Sequence, residues 1–228
     1  MLALLSSCWL GFLIGLRHAL DADHLAAVST LVVEQPRKWR AASLGAFWGV
    51  GHSAALLGAG ALLLAFRAQL SERSSEWFEL GVSLMLVGLG IRSVRRSLQQ
   101  RGKPAAHRHG ERVHVHAGES DHFHIQSWTI ARRPFLVGIA HGLAGTGAIT
   151  ALALASMPSA GAAFLYLALF AAGSIAGMAL LTGIAGFPIE KLARRPAAHS
   201  AVTACVGGAS LVVGIVWGVP IAGHLLGS

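Results

Sequence analysis

Six long apolar segments follow one another along this chain, and they constrain its fold more than any other feature. A helix crosses the hydrocarbon core of a bilayer with about 20 apolar residues, and each segment is near or above that length. The chain is 54% hydrophobic and only 12% charged, which is unlike a soluble domain of 228 residues. We therefore predict an all-α membrane protein with six transmembrane helices. The predicted spans are residues 2–33, 43–66, 77–96, 134–157, 161–186 and 200–226.

The basic residues predict how these spans are oriented. Nearly all of them lie in the loops after the first, third and fifth spans, whereas the opposite side has only Arg67 and Arg73. Cytoplasmic loops of membrane proteins are enriched in Lys and Arg. The sequence thus predicts a multi-pass protein of the plasma (inner) membrane with both termini outside. The net charge of +8 is explained by these loops, so the partner is the lipid bilayer and not nucleic acid.

The two halves of the chain resemble each other. Residues 15–20 (GLRHAL) match 138–143 (GIAHGL), which pairs His18 with His141, and residues 81–88 similarly match 207–214. Each half has three predicted spans, an odd number, so the second half must be inverted relative to the first. We predict two inverted three-helix repeats. They comprise a first repeat at 1–96 with a metal motif, a cytoplasmic His-rich loop at 97–133 and a second repeat at 134–228.

Residues 17–24 (RHALDADH) are the most polar stretch within a predicted span. A charged residue at the centre of a membrane helix costs about 2.5–3.5 kcal/mol, so three charges cost on the order of 8–10 kcal/mol. Each Leu or Val returns only about 0.3–0.6 kcal/mol. The stretch therefore predicts a functional site, although a buried polar network that only fixes helix packing stays open. A second alternative is that this polar stretch lies at the cytoplasmic end of the helix.

In a continuous helix, three of these side chains share one face. His18, Asp21 and His24 fall within an arc of about 120°, and Arg17 lies in the same arc, four residues before Asp21 and able to pair with it. Asp23 points away, toward another helix or a ligand imidazole. Two imidazoles and a carboxylate suit borderline divalent ions such as Ni²⁺, Co²⁺ and Zn²⁺.

Two further histidines lie within predicted spans. His52 follows Gly51 in the second span, where we expect a ligand or relay role because ionisable groups in membranes usually face a cavity. His141 precedes the Gly-rich stretch 142–147, which we expect to be unwound and to expose carbonyls along a cavity. The alternatives are a hydrogen-bonded packing histidine and small residues that only allow tight helix contact.

The predicted loop 97–133 is rich in histidine. In an extended chain, His-x-His places both rings on one side, which suits chelation. We predict an accessory metal-binding loop, and a polar linker without such a role stays open. Its histidines are His107, His109, His114, His116, His122 and His124.

The motif at 17–24 resembles the signature of the nickel/cobalt transporters, the NiCoT and NicO group. Residues 49–53 (GVGHS) are similar to that family's second block, and 141–148 (HGLAGTGA) resemble the small urease-associated permeases. The resemblance implies a permease with Ni²⁺ or Co²⁺ as cargo, no cofactor, and nickel-enzyme maturation proteins as candidate partners. The chain is shorter than eight-span members of the group, so subgroup and transport direction stay open.

We therefore predict transport of divalent transition-metal ions, with Ni²⁺ or Co²⁺ uptake favoured. An efflux permease of the same fold is the first alternative. The second is an intramembrane metalloenzyme, which we disfavour because no His-Glu-x-x-His motif occurs. The chain also lacks a Gly-x4-Gly-Lys-Ser/Thr loop, so transport is not driven by ATP hydrolysis in this chain.

Overall fold

The computed structural model describes residues 2–34, 38–66, 70–101 and 128–227, whose regular secondary structure is α-helical throughout. The prediction of an all-α protein is confirmed. The helices in these residues are α1 (Leu2–His18), α2 (Ala22–Glu34), α3 (Lys38–Phe66), α4 (Glu72–Arg101), α5 (Trp128–Ser156), α6 (Ala160–Leu192) and α7 (Pro196–Gly227).

Four of the described helices, α3, α4, α6 and α7, are long and apolar enough to cross a membrane, and α2 is a shorter apolar helix. Their outer surfaces carry large apolar side chains, with Leu62, Leu84, Ile184 and Val212 each about 60% exposed. An extensive apolar surface of this kind suits contact with lipid. The chain is therefore a membrane protein, while the helix count alone does not establish six spans.

The first predicted span is not one continuous helix. The chain leaves the α-helix after His18 and resumes it at Ala22. Within the break, the Leu20 amide donates to the carbonyl of Arg17 (2.8 Å) and the Asp21 amide to that of His18 (3.1 Å). Aspartate is a preferred residue at helix starts, and the Asp21 carbonyl accepts the amide of Leu25 at 2.9 Å. His18, Asp21 and His24 therefore do not share one face of a continuous helix, as the prediction assumed.

Helix ends also differ from the prediction. Residues 97–101 belong to α4 and residues 128–133 to α5, so the polar segment between these helices is shorter than the predicted loop. α5 is helical through 142–147, so the prediction that this stretch is unwound was wrong. The interruption lies in the first half of the chain, between α1 and α2.

Small residues bring the helices together. α3 packs against α5 and α6, α1 against α6, and α4 against α7. A Cβ added at Gly15 would meet the backbone of Phe170, and one added at Gly138 would meet the backbone of Trp48. Such close approach is typical of helix pairs in lipid. The buried core beside these contacts contains Ala27, Val28, Trp48, Leu86 and Met178, with a second cluster around Leu56, Leu167 and Phe170.

Candidate metal-ion site

Four helices bring four histidines into one buried cluster. His18 is the last residue of α1 and His24 lies in the first turn of α2. His52 is the central residue of α3, and His141 is next to the centre of α5. The exposed fraction is 2% for His24, 0% for His52 and 2% for His141. These rings are therefore enclosed by protein and do not face lipid.

The rings lie close enough to share an ion. The ring centre of His24 is 4.4 Å from that of His18, 5.3 Å from that of His52 and 4.8 Å from that of His141. His18 and His52 are 5.2 Å apart. One nitrogen atom from each of His18, His24 and His52 lies within 4.8 Å of the other two. A second group with the same spacing joins Asp23, His24 and His141.

Two carboxylates orient three of the rings. Nδ1 of His18 donates to Asp21 at 2.7 Å. Asp23 binds two rings, because one oxygen accepts from Nδ1 of His24 at 3.0 Å and the other from Nε2 of His141 at 3.1 Å. Metal-binding histidines commonly donate their second ring nitrogen to a carboxylate, which fixes the ring and makes the free nitrogen more basic. His18 and His24 have this arrangement.

The remaining ring nitrogens are buried without a hydrogen-bond partner in the described part of the chain. They are Nε2 of His18, Nε2 of His24, both nitrogens of His52 and Nδ1 of His141. A buried polar atom without a partner costs free energy, and proteins rarely leave several together. Imidazole nitrogens converging in this way are the ligands that borderline divalent ions prefer.

The structure places the predicted site residues in different roles. Asp21 has a 53% exposed side chain and contacts His18, while Asp23, predicted to point elsewhere, lies between His24 and His141. Arg17 is exposed and forms no ion pair with any described residue, because Asp21 contacts His18 instead. The six histidines between residues 107 and 124 lie outside the described residues.

Two aromatic side chains at the cluster were not predicted. The ring of Trp48, which is fully buried, is 5.2 Å from that of His24 and 5.6 Å from that of His141. The ring of Phe170 is 5.3 Å from that of His18. Nothing in the sequence distinguishes these residues from ordinary core aromatics. They pack against the imidazoles, and the indole nitrogen of Trp48 is buried without a hydrogen-bond partner in the described part of the chain.

Backbone contacts position His52 and the break. A Cβ at Gly142 would meet the carbonyl of His52, so α5 approaches α3 directly beside this ring. The hydroxyl of Ser53 donates to the carbonyl of Ala171 at 3.2 Å. The hydroxyl of Ser174 donates to the carbonyl of Gly15 at 3.3 Å, which ties α6 to the last turn of α1. The rings are therefore presented by tightly packed helices.

Comparison with known proteins identifies the family. The NicO family model, described as "High-affinity nickel-transport protein", matches residues 4–223. The chain belongs to the NicO family. Membership makes it a transport protein for metal ions and not an enzyme, which confirms the resemblance found in the sequence and excludes the metalloenzyme alternative.

Several relatives of this NicO chain are known. Urease accessory protein UreH of Bacillus sp. (strain TB-90) is 35% identical over 216 residues, 93% of this chain and 90% of that protein. Chloroplast protein FOR GROWTH AND FERTILITY 2 of Arabidopsis thaliana is 30% identical over 82% of this chain and 49% of that protein. The high-affinity nickel transport protein of Cupriavidus necator is 34% identical over 34% of this chain and 22% of its own length. No solved structure was found to match.

Proposed function

We propose that this chain is a Ni²⁺ permease whose cargo binds Nε2 of His18, Nε2 of His24 and a ring nitrogen of His52. The observation that carries this proposal is the convergence of these nitrogens within 4.8 Å, buried and without other partners. Asp21 and Asp23 orient the first two rings and act on the ion through them. His141 contacts Asp23 from α5 and completes the network.

The donor set supports nickel as cargo. Neutral imidazoles suit Ni²⁺, Co²⁺ and Zn²⁺, whereas Mg²⁺ prefers oxygen ligands and keeps its waters. The family description names nickel, and Co²⁺ is its nearest chemical neighbour in this site. Three nitrogen ligands leave coordination positions for water. The cargo therefore enters partly hydrated and is released by regaining water.

We infer that the cluster lies near the middle of the membrane. α3 has 29 residues, which makes it about 44 Å long, close to the 40–45 Å of a bilayer with its headgroup regions. His52 is the central residue of α3, about 21 Å from either end. A site at this depth must open to one side at a time for transport to occur.

We further propose six spans arranged as two inverted repeats, with α1 and α2 forming one interrupted span. The packing supports this arrangement. An inverted repeat makes α1 equivalent to α5 and α3 equivalent to α6, so the contact of α1 with α6 has its counterpart in the contact of α5 with α3. α1 runs parallel to α6, and α5 runs parallel to α3. The contacts that give these directions are Gly11 with Tyr166 and Gly177 with Leu16 for the first pair, and Gly138 with Trp48 and Gly142 with His52 for the second.

The two remaining helix pairs are each antiparallel, as an inverted repeat requires. α3 runs opposite to α6, and α4 runs opposite to α7. For α3 and α6 the contacts are Gly45 with Met178 and Ser53 with Ala171. For α4 and α7 they are Gly90 with Gly207 and Ser97 with Ser200. In each pair, the residue number rises along one helix as it falls along the other.

Uptake is the direction that we propose, with both termini outside and the segment after α4 in the cytoplasm. The basic residues support this orientation. The name of the Bacillus relative associates that protein with urease, a nickel enzyme that an uptake system would supply. In this orientation the histidines at 107–124, in the predicted His-rich loop, receive incoming metal and pass it to nickel-enzyme maturation proteins.

Transport by reconstituted protein tests the proposal. His52→Gln removes a ligand without removing a hydrogen bond found in the described structure, so it separates ion binding from folding. We expect radioactive Ni²⁺ uptake into proteoliposomes to fall by more than about tenfold. His224→Gln, the same substitution at a histidine that is 71% exposed and lies outside the cluster, is the matched control and keeps transport. Undiminished uptake by His52→Gln would refute the site.

The direction is tested in cells. Deleting the gene lowers cellular nickel if the chain is an importer and raises it if the chain is an exporter. Lowered nickel together with reduced activity of a nickel enzyme supports uptake, whereas raised nickel and metal sensitivity overturn it.

A further inference from the structure

We propose that the break between α1 and α2 lines a water-filled crevice that opens at Asp21 and leads to His18. The crevice lies on the exposed side of the break, away from the enclosed rings of His24 and His52. Its lining includes the carboxylate of Asp21 and the side chain of Leu20, which is 56% exposed.

The first support is an exposed, charged side chain near the level of the helix centres. The side chain of Asp21 is 53% exposed, and it accepts a hydrogen bond from His18. The ring centre of His18 is 5.2 Å from that of His52, the central residue of α3. Asp21 therefore lies near the level of the helix centres, where acyl chains surround the outer surface of a membrane protein. Arg17, one turn earlier, is exposed as well.

Contact of these groups with lipid is energetically unfavourable. A charged side chain at this depth costs about 2.5–3.5 kcal/mol when it faces hydrocarbon. Non-helical backbone at membrane depth is tolerated only where protein buries it or where it lines a water-filled cavity. The backbone from Ala19 to Asp21 is non-helical, and Leu20 and Asp21 are exposed. Water on this side would hydrate both the charged side chains and the non-helical backbone.

Exposure decreases along a path from this side to the site. The side chain is 53% exposed at Asp21, 16% at His18 and 0% at His52. This role of the crevice rests on the proposed function: a hydrated divalent cation would meet the Asp21 carboxylate first and the imidazole of His18 next. The crevice itself requires only water, so it can be tested without the cargo.

Reaction of introduced cysteines with a charged, membrane-impermeant methanethiosulfonate reagent tests for water. The natural residues Cys8 and Cys205 are first replaced by alanine. Leu20→Cys is compared with Leu84→Cys and Val212→Cys, which are similarly exposed and lie near the centres of α4 and α7. The thiolate is the reacting form and requires water, so we expect Leu20→Cys to react more than about tenfold faster.

Each outcome decides the proposal. Equally slow reaction at all three positions overturns the crevice, and Asp21→Cys provides a second probe if Leu20→Cys does not fold. Efficient disulfide formation between copies, without labelling by the charged reagent, also overturns it in favour of a contact between two chains. Fast labelling that Ni²⁺ slows supports the crevice as the path of the cargo. Fast labelling that Ni²⁺ leaves unchanged supports the crevice and counts against the proposed nickel site.

Discussion

Asp21 accepts a hydrogen bond of 2.7 Å from Nδ1 of His18 across the break between α1 and α2. The bond fixes which nitrogen of His18 remains for an ion, because Nδ1 carries the shared proton and Nε2 keeps its lone pair. The carboxylate thus acts through the ring. This role differs from the direct ligand that helical spacing predicted, and it has measurable consequences.

Removing the charge of Asp21 should weaken nickel binding without abolishing it. Asparagine can still accept the hydrogen bond but no longer makes the imidazole more basic, so we expect Asp21→Asn to bind Ni²⁺ about 10–100-fold more weakly. Calorimetric titration of purified protein measures the change. Glu76→Gln is the control, because Glu76 makes an equally short contact, 2.7 Å, to the exposed His224. Unchanged Ni²⁺ affinity in Asp21→Asn would show that the carboxylate does not contribute to the ion site.

The order in which other ions compete with Ni²⁺ should follow their preference for imidazole nitrogen ligands. We expect Co²⁺ and Zn²⁺ to compete with radioactive Ni²⁺ for the purified protein, and Mg²⁺ to have no effect even in large excess, because it favours oxygen ligands. Equilibrium dialysis with each competitor measures this order. Displacement of Ni²⁺ by Mg²⁺ would indicate an oxygen-based site and contradict the three-imidazole arrangement.

A methyl group at Gly138 should separate α5 from α3. An added Cβ there would meet the carbonyl of Trp48 and come within 2.8 Å of the His52 amide nitrogen. Overpacking of this kind costs about 1–3 kcal/mol, so we expect Gly138→Ala to lower the thermal unfolding temperature and weaken Ni²⁺ binding. Gly58→Ala in α3 is the control, because its added Cβ meets nothing within 4 Å. Equal unfolding temperatures for the two variants would contradict the close approach.

The contact between α4 and α7 should contribute to stability and not to transport. Ser97 and Ser200 each donate to the other's carbonyl, at 2.8 and 3.1 Å, and their hydroxyls are 2.9 Å apart. Interhelical hydrogen bonds in membranes average about 0.6 kcal/mol. A double-mutant cycle with Ser97→Ala and Ser200→Ala should give a coupling free energy of that size, with Ni²⁺ transport retained. Loss of transport in either single variant would show that this interface contributes to transport.

The sequence predicted the helices better than it predicted the site geometry. Apolar length located α3 to α7, and it merged α1 and α2 into one span. The helices extend beyond the apolar segments, as at 97–101 and 128–133, because hydropathy marks the lipid-facing portion only. Part of the cluster could be anticipated from the polar stretch 17–24, although Arg17 and Asp21, whose burial the cost argument assumed, are exposed. The break could not be inferred from periodicity, which assumes a continuous helix, although Asp21 is a residue type that favours helix starts.

Long-range contacts explain the rest of the difference. The bond from His141 to Asp23 joins residues 118 positions apart, and no local pattern encodes it. The rings of Trp48 and Phe170 beside the histidines likewise depend on how α3 and α6 pack. His52 and His141 were predicted as single polar positions within apolar spans, and their proximity to His24 required the fold.

The three imidazoles that each place a nitrogen within 4.8 Å of the other two, His18, His24 and His52, all precede residue 53, whereas His141 comes from α5. The hydrogen bond from His141 to Asp23 joins the two halves of the chain, and Asp23 in turn orients the ring of His24. In the transport cycle proposed above, in which the site opens to one side at a time, a movement of the second half would therefore act through Asp23 on a ligand supplied by the first half.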